Sequence, residues 1–201
     1  MVVESEDLLD ESCLGAAPVP QDAVRVRLDL PRADDLADLV FLANNKHVAS
    51  NLLTMPYPFK VDDARAWIRK AEHPQPNAAT FAVRLKSTGR LIGMARYAQL
   101  EIDGPVHAGY WIGEPFWGQG YATESVHALV DHAFTYTAVD ELTAACRVTN
   151  PASRRVLVKS GFQYRDQSLI RSVGAGGTVP IERYCLDRAV WASLKEWGKG
   201  A

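Results

Sequence analysis

The spacing of apolar positions changes several times along this 201-residue chain, and each change marks an element. In residues 24–30, Val24, Val26, Leu28 and Leu30 alternate with Arg25, Arg27 and Asp29, which predicts a half-buried first strand ended by Pro31. Leu36, Leu39, Val40 and Ala43 then fall on one side of a helix, with Asp34 and Asp35 near its positive end. Residues 44–59 read as a loop with a short helix before it. A further helix carries Ala64, Trp67, Ile68 and Ala71 on one face, with Asp62 as its cap and Pro74 and Pro76 closing it. Residues 80–85 and 91–100 are strand-like and are joined by Ser87-Thr88-Gly89-Arg90, a hairpin. Asp103-Gly104-Pro105 turns the chain into a third strand that ends at Ile112.

The centre of the chain is YWIGEPFWGQGYATESVHALVDHAF, residues 110–134. Tyr110-Trp111-Ile112 has strand composition, and Gly113, Glu114 and Pro115 stop it. Two glycines, Gly118 and Gly120, precede a helix whose apolar face is Ala122, Val126, Leu129, Val130, Ala133 and Phe134. Unpaired N–H groups and the positive dipole end converge at such a turn, which suits a pyrophosphate. A plain tight turn is the competing reading. Neither a nucleoside-triphosphatase loop nor the three-glycine dinucleotide fingerprint fits.

Beyond it, Leu142, Ala144, Cys146 and Val148 alternate as a strand. Asn150 as cap and Pro151 at the first helical position open a helix that Gly161 ends. Residues 162–164 and 181–186 read as closing strands around a flexible Gly174-Ala175-Gly176-Gly177 segment. The order is α/β: an antiparallel first half, then a strand–helix–strand unit. Residues 1–21 carry Glu4, Glu6, Asp7, Asp10 and Glu11 without Lys or Arg and read as a flexible acidic tail; residues 22–201 form a single domain. Docking of Leu8, Leu9 and Leu14 on a partner subunit is the other reading of the tail.

A hydrophobic content of 47% suits one domain with a sizeable core. The formal net charge of −2 lacks the basic field of a general nucleic-acid binder. No apolar run approaches the ~20 residues of a membrane span, and the start lacks a secretory pattern, so no membrane is expected. Cys13, Cys146 and Cys185 form no CxxC pair, which fits reduced thiols in a cytoplasmic protein. His47, His73, His107, His127 and His132 show no metal-ligand spacing, and no metal is expected.

Two stretches, GYWIGEPFWGQGYATES at 109–125 and NPASRRVLVKSGF at 150–162, resemble the GNAT superfamily of acyl-CoA N-acyltransferases. They are especially similar to its branch of ribosomal-protein N-terminal acetyltransferases, with MPYPF and DDARAWI adding weaker support. The resemblance implies a mixed, mostly antiparallel sheet, splayed at the centre and flanked by helices, with acetyl-CoA as cosubstrate. It implies that Trp117, Gly118, Gln119, Gly120, Tyr121, Ala122 and Thr123 hold the CoA pyrophosphate through backbone N–H groups. The strand at Trp111 and Ile112 would pair with the pantetheine arm, the N–H of Ile112 polarising the thioester carbonyl. Asn150 and Ser153 would meet the arm from the facing helix. Two positions depart from the family pattern. Trp117 stands where Arg or Gln is usual. Leu157 stands where many relatives place a Tyr as general acid, which leaves Ser153 as the candidate proton donor. Asn150 reads equally as a helix cap, Ser153 as a local backbone partner, and Tyr110 and Trp111 as core.

The implied reaction is attack of a primary amine on an acetyl thioester. At pH 7, neutralising an α-amine costs roughly 1.4 kcal/mol and a lysine roughly 4.6 kcal/mol. Many relatives carry a Glu early on the central strand; here His107 takes that place as candidate base, against the reading of a strand-end surface histidine. The acceptor would meet residues 51–59 and the hairpin at 171–181, with Met55, Tyr57 and Phe59 as pocket wall or, as a stripe, core. Without an acidic cluster for polyamines, a protein or peptide N-terminus ranks first. A small-molecule amine and a non-catalytic acyl-CoA-binding sensor are the alternatives. A homodimer through apolar edge-strand residues stays open.

Overall fold

The computed structural model describes residues 18–73, 75–99 and 104–198. In chain order the elements are β1 (Gln21–Asp22), β2 (Val26–Asp29), α1 (Leu36–Ala43), α2 (Lys46–Ala49), α3 (Val61–Glu72), β3 (Ala79–Leu85), β4 (Leu91–Gln99) and β5 (Val106–Ile112). Then come α4 (Tyr121–Tyr136), β6 (Glu141–Arg147), α5 (Pro151–Lys159), β7 (Gln163–Ser172), β8 (Gly177–Asp187) and α6 (Arg188–Gly198). The strands build one sheet in the order β1-β2-β3-β4-β5-β6-β8-β7. Neighbours are antiparallel except β5 and β6, which α4 joins as a crossover.

That parallel pair is short. Only Val106 with Leu142 and His107 with Thr143 are in register. β4 follows β5 to Ile112, and β8 follows β6 to Arg147. The two halves of the sheet therefore part beyond His107, as the splayed sheet requires.

Alternate strand residues feed two cores on opposite faces. One gathers Val126, Leu129, Val130 and Phe134 of α4 and Leu157 of α5 over Phe81, Leu142 and Tyr184. The other gathers Leu39 and Leu42 of α1 and Ile68 of α3 over Met94 and Trp111. Each such side chain contributes about 1.5–3 kcal/mol by burial.

Several boundaries differ from expectation. Val24 is 83% exposed. It sits in a tight turn where Ala23 N–H bonds back to Val26 O at 2.9 Å, so the first strand is a small hairpin. Residues 1–17 of the acidic tail lie outside the described residues, whereas Pro18 is buried and Gln21 pairs with Leu28. Lys60, not Asp62, precedes α3, and Asp63 Oδ2 accepts the Lys60 N–H at 2.8 Å. β7 and β8 continue to Ser172 and Gly177, because β7 lies at the sheet edge with most of its residues exposed and shows no apolar period. The C-terminal helix α6 was not anticipated. Val190 and Trp191 pack on the core, but exposed Leu194 and Trp197 blur its pattern.

Candidate active site

The site begins where β5 and β6 part. Gly113 N–H bonds to Ile92 O at 2.8 Å. Val106 O accepts from Thr143 Oγ1 at 3.3 Å, and Ile112 O accepts from Trp117 Nε1 at 2.6 Å. By the alternation of an antiparallel ladder, Tyr110 and Ile112, beyond the last rung at His107 and Thr143, turn their main-chain groups away from β4, into the gap. Trp117, the departure at the head of the turn, thus ties that turn to the end of the strand.

Gly118 and Gly120 have φ of +74° and +85°, a region only glycine enters freely. Their turn delivers the chain into α4 with no side-chain cap. Among the described residues, Glu124 N–H is the first of the helix to bond back, to Gly120 O at 3.1 Å. The amides before it are left for a ligand. Gly118, Gly120, Tyr121, Ala122 and Thr123 line a cleft of about 1190 Å³, together with Trp111, Ile112, Trp117, Asn150 and Ser153. Gln119 does not line it; its side chain turns to Pro115 O at 3.4 Å.

Arg25 braces the turn from the hairpin. Its N–H and Nε reach Glu124 at 2.9 and 2.6 Å, and Nη2 donates to Gln119 O at 2.8 Å. Its guanidinium also covers the Tyr121 ring at 4.7 Å. Sequence reasoning gives Arg25 no role beyond a polar strand position, since its partners lie 94 and 99 residues away.

On the other side of the gap, Asn150 Oδ1 accepts Ser153 N–H at 3.0 Å, so Asn150 is the cap of α5. Its side-chain amide bonds no other described residue, and Asn150 lines the cleft. Ser153 Oγ lies 2.8 Å from the Tyr110 hydroxyl, which also reaches Ser153 O at 3.4 Å. Burial raises the Tyr110 phenol above its ordinary value, with the Ser153 bond opposing, so it stays protonated at neutral pH. Leu157 is buried in the core below. Cys146 also lines the cleft, and burial pushes its thiol up to about 11, which keeps it neutral.

His107 stands on the last shared rung, its Nδ1 2.8 Å from Thr143 Oγ1, and lines the cleft. Met55 and Phe59 do not. They are 0% and 1% exposed in the second core, Phe59 packing edge-on to Trp67 at 4.9 Å between ring centres. Tyr57 is exposed outside the cleft. The wall is formed one turn earlier, by Asn51, Leu52, Leu53 and Thr54. The β7–β8 hairpin pins it: Ser172 Oγ donates to Leu52 O at 3.0 Å and Val173 N–H to Leu53 O at 2.8 Å. Gly174 is so close that a Cβ would lie 2.1 Å from Ala49 O. Nothing in a sequence signals this docking. Arg96 of β4, opposite Gly109, lines the cleft on the His107 and Trp111 side. Among the described residues no group of three or more His, Cys, Asp or Glu is placed to hold a metal, and no helix is long and apolar enough to cross a membrane.

An open mixed sheet, split at its one parallel pair with an uncapped helix start at the split, defines the N-acyltransferase class of fold. Residues 25–163 match the acetyltransferase (GNAT) domain, and the chain belongs to that family. It is 30% identical over 87 residues to the uncharacterized N-acetyltransferase p20 of Bacillus licheniformis, spanning 43% of this chain and 49% of that protein. It is 32% identical over 73 residues to the ribosomal-protein-serine acetyltransferase of Escherichia coli (strain K12), spanning 36% of this chain and 41% of that one. The matched region is thus less than half the length of each. The structure of Mycobacterium smegmatis RimJ in complex with CoA-disulfide superposes with a TM-score of 0.74 at 20% identity, covering 90% of this chain and 95% of that one. At that identity the likeness concerns the fold.

Proposed function

We propose that this chain is an acetyl-CoA-dependent N-acetyltransferase acting on the α-amine of a protein or peptide N-terminus. One observation carries the reading: the uncapped start of α4 opens onto a gap whose β5 lip presents unpaired main-chain groups. The residues fit the cosubstrate. The amides at Gly118, Gly120, Tyr121, Ala122 and Thr123 suit a diphosphate, and a Cβ at Gly118 would meet nothing within 4 Å, so there is room for one. Bound acetyl-CoA supplies the acetyl thioester, an electrophile with a stable leaving thiolate.

The remaining roles belong to the protein. Main-chain groups of Tyr110 hold the ligand arm as a neighbouring strand would. Ile112 N–H stabilises negative charge on the carbonyl oxygen. His107, oriented by Thr143, takes the proton of the attacking amine. Ser153 Oγ supplies a proton to the leaving group, and the Tyr110 hydroxyl, in contact with it, replaces that proton. An α-amine suits this site better than a lysine, whose neutral form is scarce at pH 7. The named activity of the ribosomal-protein-serine relative points the same way.

The test pairs calorimetric titration with CoA and thiol release from acetyl-CoA across N-terminal peptides, spermidine and an aminoglycoside. Binding of CoA with turnover confined to peptide α-amines is expected. Turnover of a small amine alone would reverse the acceptor assignment. Tight binding with no transfer to any amine would make the chain a sensor, and no binding would remove the reading altogether.

A further inference from the structure

The cleft holds a cation that has no counter-ion among the described residues. Arg84, Arg147, Arg154 and Arg188 are the other buried or half-buried arginines, and each ends on an acceptor. Arg84 meets Asp35 at 2.6 Å, Arg147 meets Ser50 O at 2.5 Å, Arg154 meets Glu182 at 2.6 Å and Arg188 meets Phe134 O at 2.6 Å. Arg96 is half-buried, and its side chain makes no hydrogen bond or ion pair with any described residue. Burial holds its guanidinium below its ordinary value, and no carboxylate among the described residues offsets that effect. Its fork is not sealed in, because Arg96 lines the cleft. Across the ladder stands Gly109, where a Cβ would meet nothing within 4 Å, so open space lies beside Arg96 between His107 and Trp111. A half-buried guanidinium that no described residue pairs, next to open space, is placed to take an anion.

We propose that Arg96 selects the acceptor by binding a carboxylate carried close to the reactive amine. The inference rests on the acetyltransferase reading above and names the substrate class of that site: amines bearing a carboxylate, either the side chain of an acidic N-terminal residue or the α-carboxylate of a free amino acid. The planar fork matches a carboxylate in two hydrogen bonds. The same charge disfavours a protonated amine beside it, which helps deliver the neutral nucleophile and counts against polyamines.

The experiment uses the full chain, acetyl-CoA and two acceptor pairs matched in shape. Peptide amides beginning with Glu or Gln isolate a side-chain carboxylate; glutamine and its α-amide isolate an α-carboxylate. The carboxylate member of one pair should have a kcat/KM about tenfold higher, as a charged hydrogen-bond pair supplies. Arg96→Gln should bring that pair level while CoA affinity stays within about twofold. Because Arg96 has no partner to lose among the described residues, that variant should melt no lower than wild type. Equal rates within both pairs, or a preference that survives in Arg96→Gln, overturns the inference. If no acceptor reacts, transfer itself has failed, and binding decides instead. Titration of N-acetylglutamate and N-acetylglutamine into the CoA-loaded protein should then show tighter binding of the doubly acidic ligand, lost in Arg96→Gln; no difference overturns the inference.

Discussion

Tyr110 and Ser153 meet hydroxyl to hydroxyl at 2.8 Å, one from β5 and the other from α5, so their bond bridges the split in the sheet. A phenol thus reaches the cleft from the strand, while the helix position at which relatives place one is the buried Leu157. If the pair moves a proton as a unit, Ser153→Ala should lower kcat about 10–100-fold with little change in CoA affinity. Tyr110→Phe should lower kcat less, and should add almost nothing in the Ser153→Ala background. Rapid-quench kinetics and CoA titration of the three variants check this.

The glycine turn is predicted to be intolerant. Gly120→Ala puts a side chain at φ +85°, and its methyl would lie 3.2 Å from Arg25 Nη2. The left-handed conformation costs about 1–2 kcal/mol. A lower melting temperature and CoA binding weakened about tenfold are expected by calorimetry. Unchanged CoA affinity would mean that the turn does not hold the diphosphate.

His107 and Thr143 make a separate prediction. His107→Ala should remove the acidic limb of the kcat/KM–pH profile measured with a peptide α-amine, and Thr143→Val should shift that limb while retaining it. An acidic limb identical to wild type in His107→Ala would take His107 out of the mechanism.

Tyr97 and His132, 3.0 Å apart between hydroxyl and Nδ1, each make stability depend on pH through their burial. Burial holds the His132 imidazole below its ordinary value. Below about pH 6.5 the unfolded chain therefore binds a proton that the folded chain refuses, so stability falls as pH drops toward the folded value. Burial also pushes the Tyr97 phenol up to about 12. Above about pH 10 the unfolded chain ionises first, and up to about 3 kcal/mol is lost by pH 12. Urea unfolding should show a shallower acid slope in His132→Phe and a shallower alkaline slope in Tyr97→Phe.

The centre of the fold was legible because its signals are local. Two glycines before an apolar helix, and Asn150-Pro151 before another, act within a few residues of where they stand. The sites that were not legible depend on distant neighbours. Arg25 reaches Glu124 from another part of the chain, and Ser172 closes the cleft by docking on Leu52. The stripe Met55, Tyr57 and Phe59 was ambiguous between wall and core, since apolar spacing does not say which face of a loop turns inward. Packing against Trp67 settles Phe59 as core. Arg96 did leave a trace, as a lone cation within the apolar strand Leu91–Gln99.

The short register between β5 and β6 has a consequence for solvent exchange. Amides in the middle of an eight-stranded sheet ordinarily exchange slowly with deuterium, yet those of Tyr110 and Ile112, beyond the last rung at His107 and Thr143, face a gap where no strand protects them. Labelling should find two fast positions alternating with slow ones along a single central strand, and coenzyme should silence them. A ligand that behaves as a temporary strand leaves its footprint on every second residue, where ordinary surface binding would protect a contiguous patch.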